Sequence, residues 1–132
     1  MAEQIAFELV SPVKKLLGKP VAMVSMPGTE GDFAVLPGHA PLIATLRPGV
    51  IETYDADRVS DRIFVGGGFV EVTAERCTVL AQEALPVAEI DRAALNTAIM
   101  ELESGLAAAA DTERTTIAGQ LAVAQAKREA LN

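Results

Sequence analysis

The chain has one cysteine and one histidine in 132 residues, and each scarcity removes chemistry. Cys77 alone cannot close an intramolecular disulfide, which fits a reducing compartment. It lies in the alternating run Cys77-Thr78-Val79-Leu80-Ala81 and reads as a buried strand cysteine. A nucleophilic thiol wants a base close by, and the only histidine, His39, is far off in sequence. One Cys and one His, with no carboxylates at ligand spacing, make no metal centre, so neither metal nor cofactor is expected. A basic excess is missing too. The net charge of −7 argues against a nucleic-acid or anionic-membrane partner. No apolar run approaches the ~18 residues of a membrane helix. Residues Met1-Ala2-Glu3-Gln4 lack the basic and apolar regions of a signal peptide. The expectation is a soluble, cytoplasmic chain that meets a membrane only through a partner. Half of its residues are apolar, enough for a packed core.

Proline stops abruptly. After Pro86 there is none, only two glycines remain, and alanine dominates. Short strand-like runs broken by Gly, Pro and Asp come before that point. The expected architecture is an all-β sandwich of about eight to ten short strands over residues 1–86. An antiparallel α-helical hairpin over residues 87–132 follows it. Ile5, Phe7 and Leu9 alternate in the first strand, which Ser11-Pro12 ends. Further strands are expected at 21–26, 33–36 and 42–46, the last closed by the turn Arg47-Pro48-Gly49. A hairpin joins 50–54 to 62–65 across Asp55-Ala56-Asp57-Arg58. Another pair joins 69–73 to 78–82. Gly66, Gly67 and Gly68 do not make a phosphate cradle, because a strand pattern follows them where a helix N-terminus is needed. They read as a turn or bulge between strands.

In the second unit Leu95, Ile99, Leu102 and Leu106 share one helical face. Asp111-Thr112 breaks the pattern and offers an N-cap. Ile117, Leu121, Ala124 and Leu131 line the next helix. Many alanines permit close approach of the two backbones but leave little apolar area, so the hairpin needs something to dock on. It carries seven acids and four bases, net −3, which leaves −4 for residues 1–86.

The stretch from Gly28 to Pro41 reads G-T-E-G-D-F-A-V-L-P-G-H-A-P. Pro27-Gly28 and Pro37-Gly38 pin both ends of a short strand. Glu30 and Asp32 stand at one end and His39 just past the other. On the residues alone, the acids read as a solvated turn or a contact, and His39 as a loop histidine bonded to its own backbone. Together with Arg47-Pro48-Gly49, Gly66-Gly67-Gly68-Phe69-Val70-Glu71-Val72 and Val79-Leu80-Ala81, these words stand in the order and spacing of one family. The chain resembles the epsilon subunit of the bacterial rotary ATP synthase, closely to about Ala84 and in architecture beyond.

The resemblance implies a non-catalytic part of the central stalk, with no catalytic residues of its own. In that family the sandwich grips the gamma subunit and stands on the polar loops of the membrane-embedded c-ring. The complex sits on the cytoplasmic face of the bacterial inner membrane, and the subunit is peripheral. Glu30 and Asp32 match the acidic turn that faces the c-ring, and His39 matches a loop histidine near gamma and the ring. In some members the hairpin reaches the alpha and beta subunits and blocks hydrolysis, using basic helix residues. Here only Lys127 and Arg128 form a basic pair, so weak or absent inhibition is expected. Some members bind ATP through an I-D-x-x-R-A word. Ile90 and Asp91 match it, but Ala94 holds the arginine position and Leu95 follows. Arg92 is two residues early, about 200° round the helix. An inhibitory or nucleotide-sensing regulator remains the alternative, and an enzyme using Glu30, Asp32 and His39 a more distant one.

Overall fold

The computed structural model describes residues 3–131. Eight strands come first: β1 (Ile5–Val10), β2 (Lys15–Val21), β3 (Met23–Gly28), β4 (Gly31–Val35), β5 (Leu42–Asp55), β6 (Arg58–Val72), β7 (Arg76–Ala81) and β8 (Ala84–Pro86). A turn of 3-10 helix, Val87–Glu89, leads to α1 (Arg92–Ala108) and α2 (Asp111–Ala130). The strands are joined in the order β2-β1-β7-β6-β5-β3-β4, with β8 added beside β6. All neighbours are antiparallel except β1, which runs parallel to β7 with Phe7 opposite Cys77.

This continuous ladder folds over on itself, because β5 and β6 are long enough to serve both layers. The C-terminal third of β6, Gly68 to Val72, pairs with β7, and the segment Ile63 to Val65 pairs with β8. Ile5, Phe7 and Leu9 of β1 share one buried cluster with Val24 and Met26 of β3, although three strands separate them in the ladder order. That is the signature of two layers facing across a common core, with inward residues at every second position. The expected sandwich is what forms.

The sequence reading divided β5 and β6 where the chain does not. Arg47-Pro48-Gly49 is no turn: Pro48 stands in the ladder opposite Gly66, and the register runs unbroken from Leu46↔Gly68 to Gly49↔Val65. The glycines do not separate two strands either. They bend one, with φ of +101° at Gly67 and +145° at Gly68. A side chain at Gly68 is doubly excluded, since a Cβ there would lie 2.2 Å from the Leu80 carbonyl oxygen. The strand β2 had no counterpart in the reading. It carries Gly18 and Pro20 and lacks strict alternation, yet it is an edge strand, where proline is tolerated. The 55–58 hairpin forms as expected, with Ala56 at φ +58° in its turn.

A polar tie closes the open side of the sandwich. Asp61 of β6 ion-pairs with Lys19 of the edge strand β2 and accepts a 2.8 Å hydrogen bond from the buried Thr53 hydroxyl of β5.

The helices are antiparallel: Arg92, at the start of α1, donates to the Leu131 carbonyl beyond the end of α2 at 3.1 Å. Leu95, Ile99 and Ala124 are the buried centre of their contact, with Leu102, Leu121 and Leu131 around it. Two large aliphatic side chains contribute about 1.5–3 kcal/mol each when fully buried, little against the entropy of ordering two helices. The hairpin is accordingly docked. Its α2 packs on β5 and β6, where Lys127 pairs with Glu83 and lies 5.7 Å above the Phe64 ring centroid. Ile63 and Val65 point into the sandwich and Phe64 points out, yet Phe64 is 0% exposed. The helix α2 supplies that cover. Asp111 is not the N-cap expected of it; Ala110 holds that position and Asp111 lies within the first turn. There it still favours the helix dipole, as Lys127 and Arg128 do at the other end.

Candidate interaction surface

Glu30 forms the exposed tip of the β3–β4 hairpin, whose last ladder pair is Gly28↔Gly31. Gly31 takes φ +133°, a value that suits glycine and lets the turn close tightly. Asp32 follows at the start of β4, and its carboxylate receives Nη2 of Arg47 at 2.5 Å. Arg47 Nη1 donates to the Gly28 carbonyl, so one guanidinium holds both arms of the hairpin. Below the turn a groove of 530 Å³ runs between residues 28–33 and 42–45. Glu30 and Asp32 line it, and His39 does not.

His39 belongs to the loop after β4. Gly38, at φ +83°, donates its N–H to Ala74 at 2.9 Å and ties this loop to the β6–β7 turn. The His39 ring lies 2.7 Å from the Ala40 carbonyl through Nδ1. A carbonyl only accepts, so Nδ1 carries the proton in this contact. The backbone-bonded histidine read from the sequence is thus present. Among the described residues no three His, Cys, Asp or Glu side chains are grouped closely enough to hold a metal ion. Cys77 is fully buried, and burial pushes its thiol up to about 12, so no thiolate nucleophile exists near neutrality.

The outward side of the β1-β7-β6-β5 layer went unremarked in the sequence. Val10, Leu80, Phe69 and Thr45 stand side by side across four strands. Phe69 is 47% exposed, Leu80 42% and neighbouring Ile43 72%. These residues wall a shallow groove of 680 Å³. Large apolar residues at outward strand positions were the available signal. On a solvated face those positions carry polar side chains, and a contiguous apolar patch marks an interaction site.

At the hairpin the structure gives the two residues of the I-D word ordinary tasks. Asp91 is the N-cap of α1, accepting from the Ala94 N–H at 3.1 Å, and Ile90 packs on the hairpin core.

Residues 4–87 match the model of the ATP synthase Delta/Epsilon chain beta-sandwich domain. The chain is 48% identical over 127 residues to the ATP synthase epsilon chain of Rhodospirillum rubrum, covering 96% of this chain and 95% of that one. It is 50% identical over 133 residues to the epsilon chain of Rhodospirillum centenum, covering 96% and 91%. Among solved structures it superposes on a chain of the Euglena gracilis mitochondrial ATP synthase OSCP/F1/c-ring assembly. The TM-score is 0.85 at 27% identity, over 98% of this chain and 82% of that one. A chain of the Tetrahymena thermophila mitochondrial central stalk and c-ring shares the fold at 12% identity, with a TM-score of 0.66 and 98% of both chains covered. No helix among the described residues is long and apolar enough to cross a membrane. With the sandwich matched throughout and close relatives matched along nearly their whole length, the chain belongs to the ATP synthase Delta/Epsilon family, as an epsilon chain.

Proposed function

We propose that this central-stalk subunit is a non-catalytic clamp that couples rotation of the c-ring to the gamma subunit and the catalytic head. The observation that carries the reading is the exposed apolar patch of Leu80, Phe69 and Ile43, continued by the half-buried Val10, on one outer face of the sandwich. An apolar face of that kind suits a permanent partner, here gamma. The Glu30–Asp32 turn and His39 are polar and lie off that patch, as a contact with the polar loops of the c-ring requires. The subunit is peripheral, on the cytoplasmic face of the bacterial inner membrane, and works without a cofactor.

In the same reading residues 1–86 and 87–132 are separable units, and the hairpin is at most a weak brake. A net charge of −3 gives it little attraction for acidic segments of the beta subunits. Lys127, half of its one basic pair, already meets Glu83 of the sandwich. Without differential affinity for an extended state there is no shift towards it.

The experiment is proton-driven ATP synthesis in vesicles, using ATP synthase assembled with wild-type, Phe69→Glu or Glu30→Lys chains, each first shown to be folded. Phe69→Glu should abolish retention on gamma, and Glu30→Lys should lower synthesis with the chain still bound. Full synthesis with both variants overturns the reading.

A further inference from the structure

Arg47 stands where the hairpin tip meets β5, and its geometry has more in it than a surface ion pair. Its two terminal nitrogens each reach 2.5 Å, one to the Gly28 carbonyl and one to Asp32 Oδ1. Those acceptors flank the Thr29–Glu30 turn on both sides. A third tie lies beside them, the Thr29 N–H donating to the Thr45 carbonyl at 3.0 Å.

The backbone is shaped for this arrangement. Between the pairs Ser25↔Glu52 and Gly28↔Leu46 the β3–β5 ladder shifts register, so residues 47–51 of β5 face residues 26–27 of β3. The longer arm carries Arg47 out to the hairpin tip. Close approach there depends on two glycines. A Cβ on Gly49 would lie 2.8 Å from Pro27, and one on Gly28 would lie 2.6 Å from the Gly31 carbonyl oxygen. The words G-T-E-G-D and R-P-G are therefore two sides of one joint. A guanidinium fork can serve a carboxylate and a carbonyl at once, whereas an ammonium is a point charge. Glu30, exposed at the tip, has no ion-pair partner among the described residues.

We propose that Arg47 is a positioning residue for the acidic turn: it satisfies Asp32 and locks the hairpin, so that Glu30 is presented as the free charge in a preset place. The partner is a protein loop with basic or polar groups. The inference rests on the reading of this turn as the contact with the ring of the membrane sector. Presetting removes the ordering cost from the binding step, which is where a turning contact needs it least.

The test uses the full-length chain with Arg47→Ala, Arg47→Lys and Glu30→Gln, read in two ways. The first is amide exchange of residues 29–33 in the free chain. Arg47→Ala should speed exchange of the Thr29 amide roughly tenfold while the Val79 amide keeps its protection, because the opening is local. Arg47→Lys should rescue part of that protection, since it retains the charge facing Asp32 and loses the second arm. The second reading is proton-driven ATP synthesis by the assembled complex, expected to fall in the order Arg47→Lys, then Arg47→Ala. Unchanged exchange in Arg47→Ala overturns the positioning role, even with Glu30→Gln defective in synthesis. A loosened turn, with wild-type synthesis by both Arg47→Ala and Glu30→Gln, overturns instead the contact reading beneath it.

Discussion

Lys127 of α2 closes on Glu83, in the segment between β7 and β8, and lies over the ring of Phe64 on β6. One side chain thus joins the helical hairpin to the sandwich by an ion pair and a cation–π contact. Partly exposed ion pairs contribute about 0–1 kcal/mol, and a cation over an aromatic face about 0.5–1 kcal/mol. Lys127→Ala should raise the undocked fraction of the hairpin several-fold without unfolding the sandwich. Hydrogen exchange of α2 amides checks this, and unchanged protection would remove Lys127 from the docking contact.

Cutting the chain after Ala88 should leave a folded sandwich, because its buried cluster shares no residue with the hairpin's. The fragment will have an unprotected Phe64, whose cover is α2. Circular dichroism should show retained strand content, with new binding of a hydrophobic dye that Phe64→Ser abolishes. A fragment without strand signal contradicts the two-unit reading.

Gly68→Ala should be the most damaging single-methyl change in the sheet. It combines a φ of +145° with a Cβ 2.2 Å from the Leu80 carbonyl oxygen, and neither backbone can yield without breaking the β6–β7 ladder. A strained φ alone costs on the order of 1–3 kcal/mol. The loss measured by urea denaturation should exceed that of Gly105→Ala, where a Cβ meets nothing within 4 Å. Equal midpoints would show that the ladder relaxes more freely than its geometry allows.

Asp61 supplies the pH dependence. Burial raises its carboxyl pKa, but hydrogen bonds from Lys19, Thr53 and Ser60 and the Lys19 charge outweigh it and hold the group below the ordinary 3.8. A depressed folded value means stability that is complete above 3.8 and lost as pH falls through the lower folded value. Asp61→Asn should therefore be less stable than wild type at neutral pH, with the gap closing below 3.8. A gap that stays constant into acid would deny the network its role.

Much of this fold was legible because local pattern and final environment agree. The alternation of Ile5, Phe7 and Leu9, the polar connection at 55–58 and the helical repeat of Leu95 and Ile99 each lead to the element that forms. The misreadings share a cause. Pro48 and the glycines at 66–68 are local stop signals, but here they stand opposite one another, Pro48 facing Gly66, and bend two paired strands together. Pro20 in β2 hid an edge strand in the same way. At the candidate surface Glu30 and Asp32 were visible as acids on a pinned turn. Arg47, 15 residues from Asp32, was not visible as a partner, because only the β3–β5 register brings them together.

The parallel pairing of β1 with β7 also sets the order of assembly during synthesis. The edge strand β2 pairs only with β1, and β1 needs a neighbour that does not exist until residues 76–81 have been made. Contacts that far apart in sequence form late and slowly. As the chain leaves the ribosome, Ile5, Phe7 and Leu9 must wait unsealed while β3 to β6 build the other layer, until β7 enters between the two ends already made. The sandwich is closed by its penultimate strand, so a nascent chain stalled before residue 76 would expose the same three side chains that make its first strand so easy to recognise.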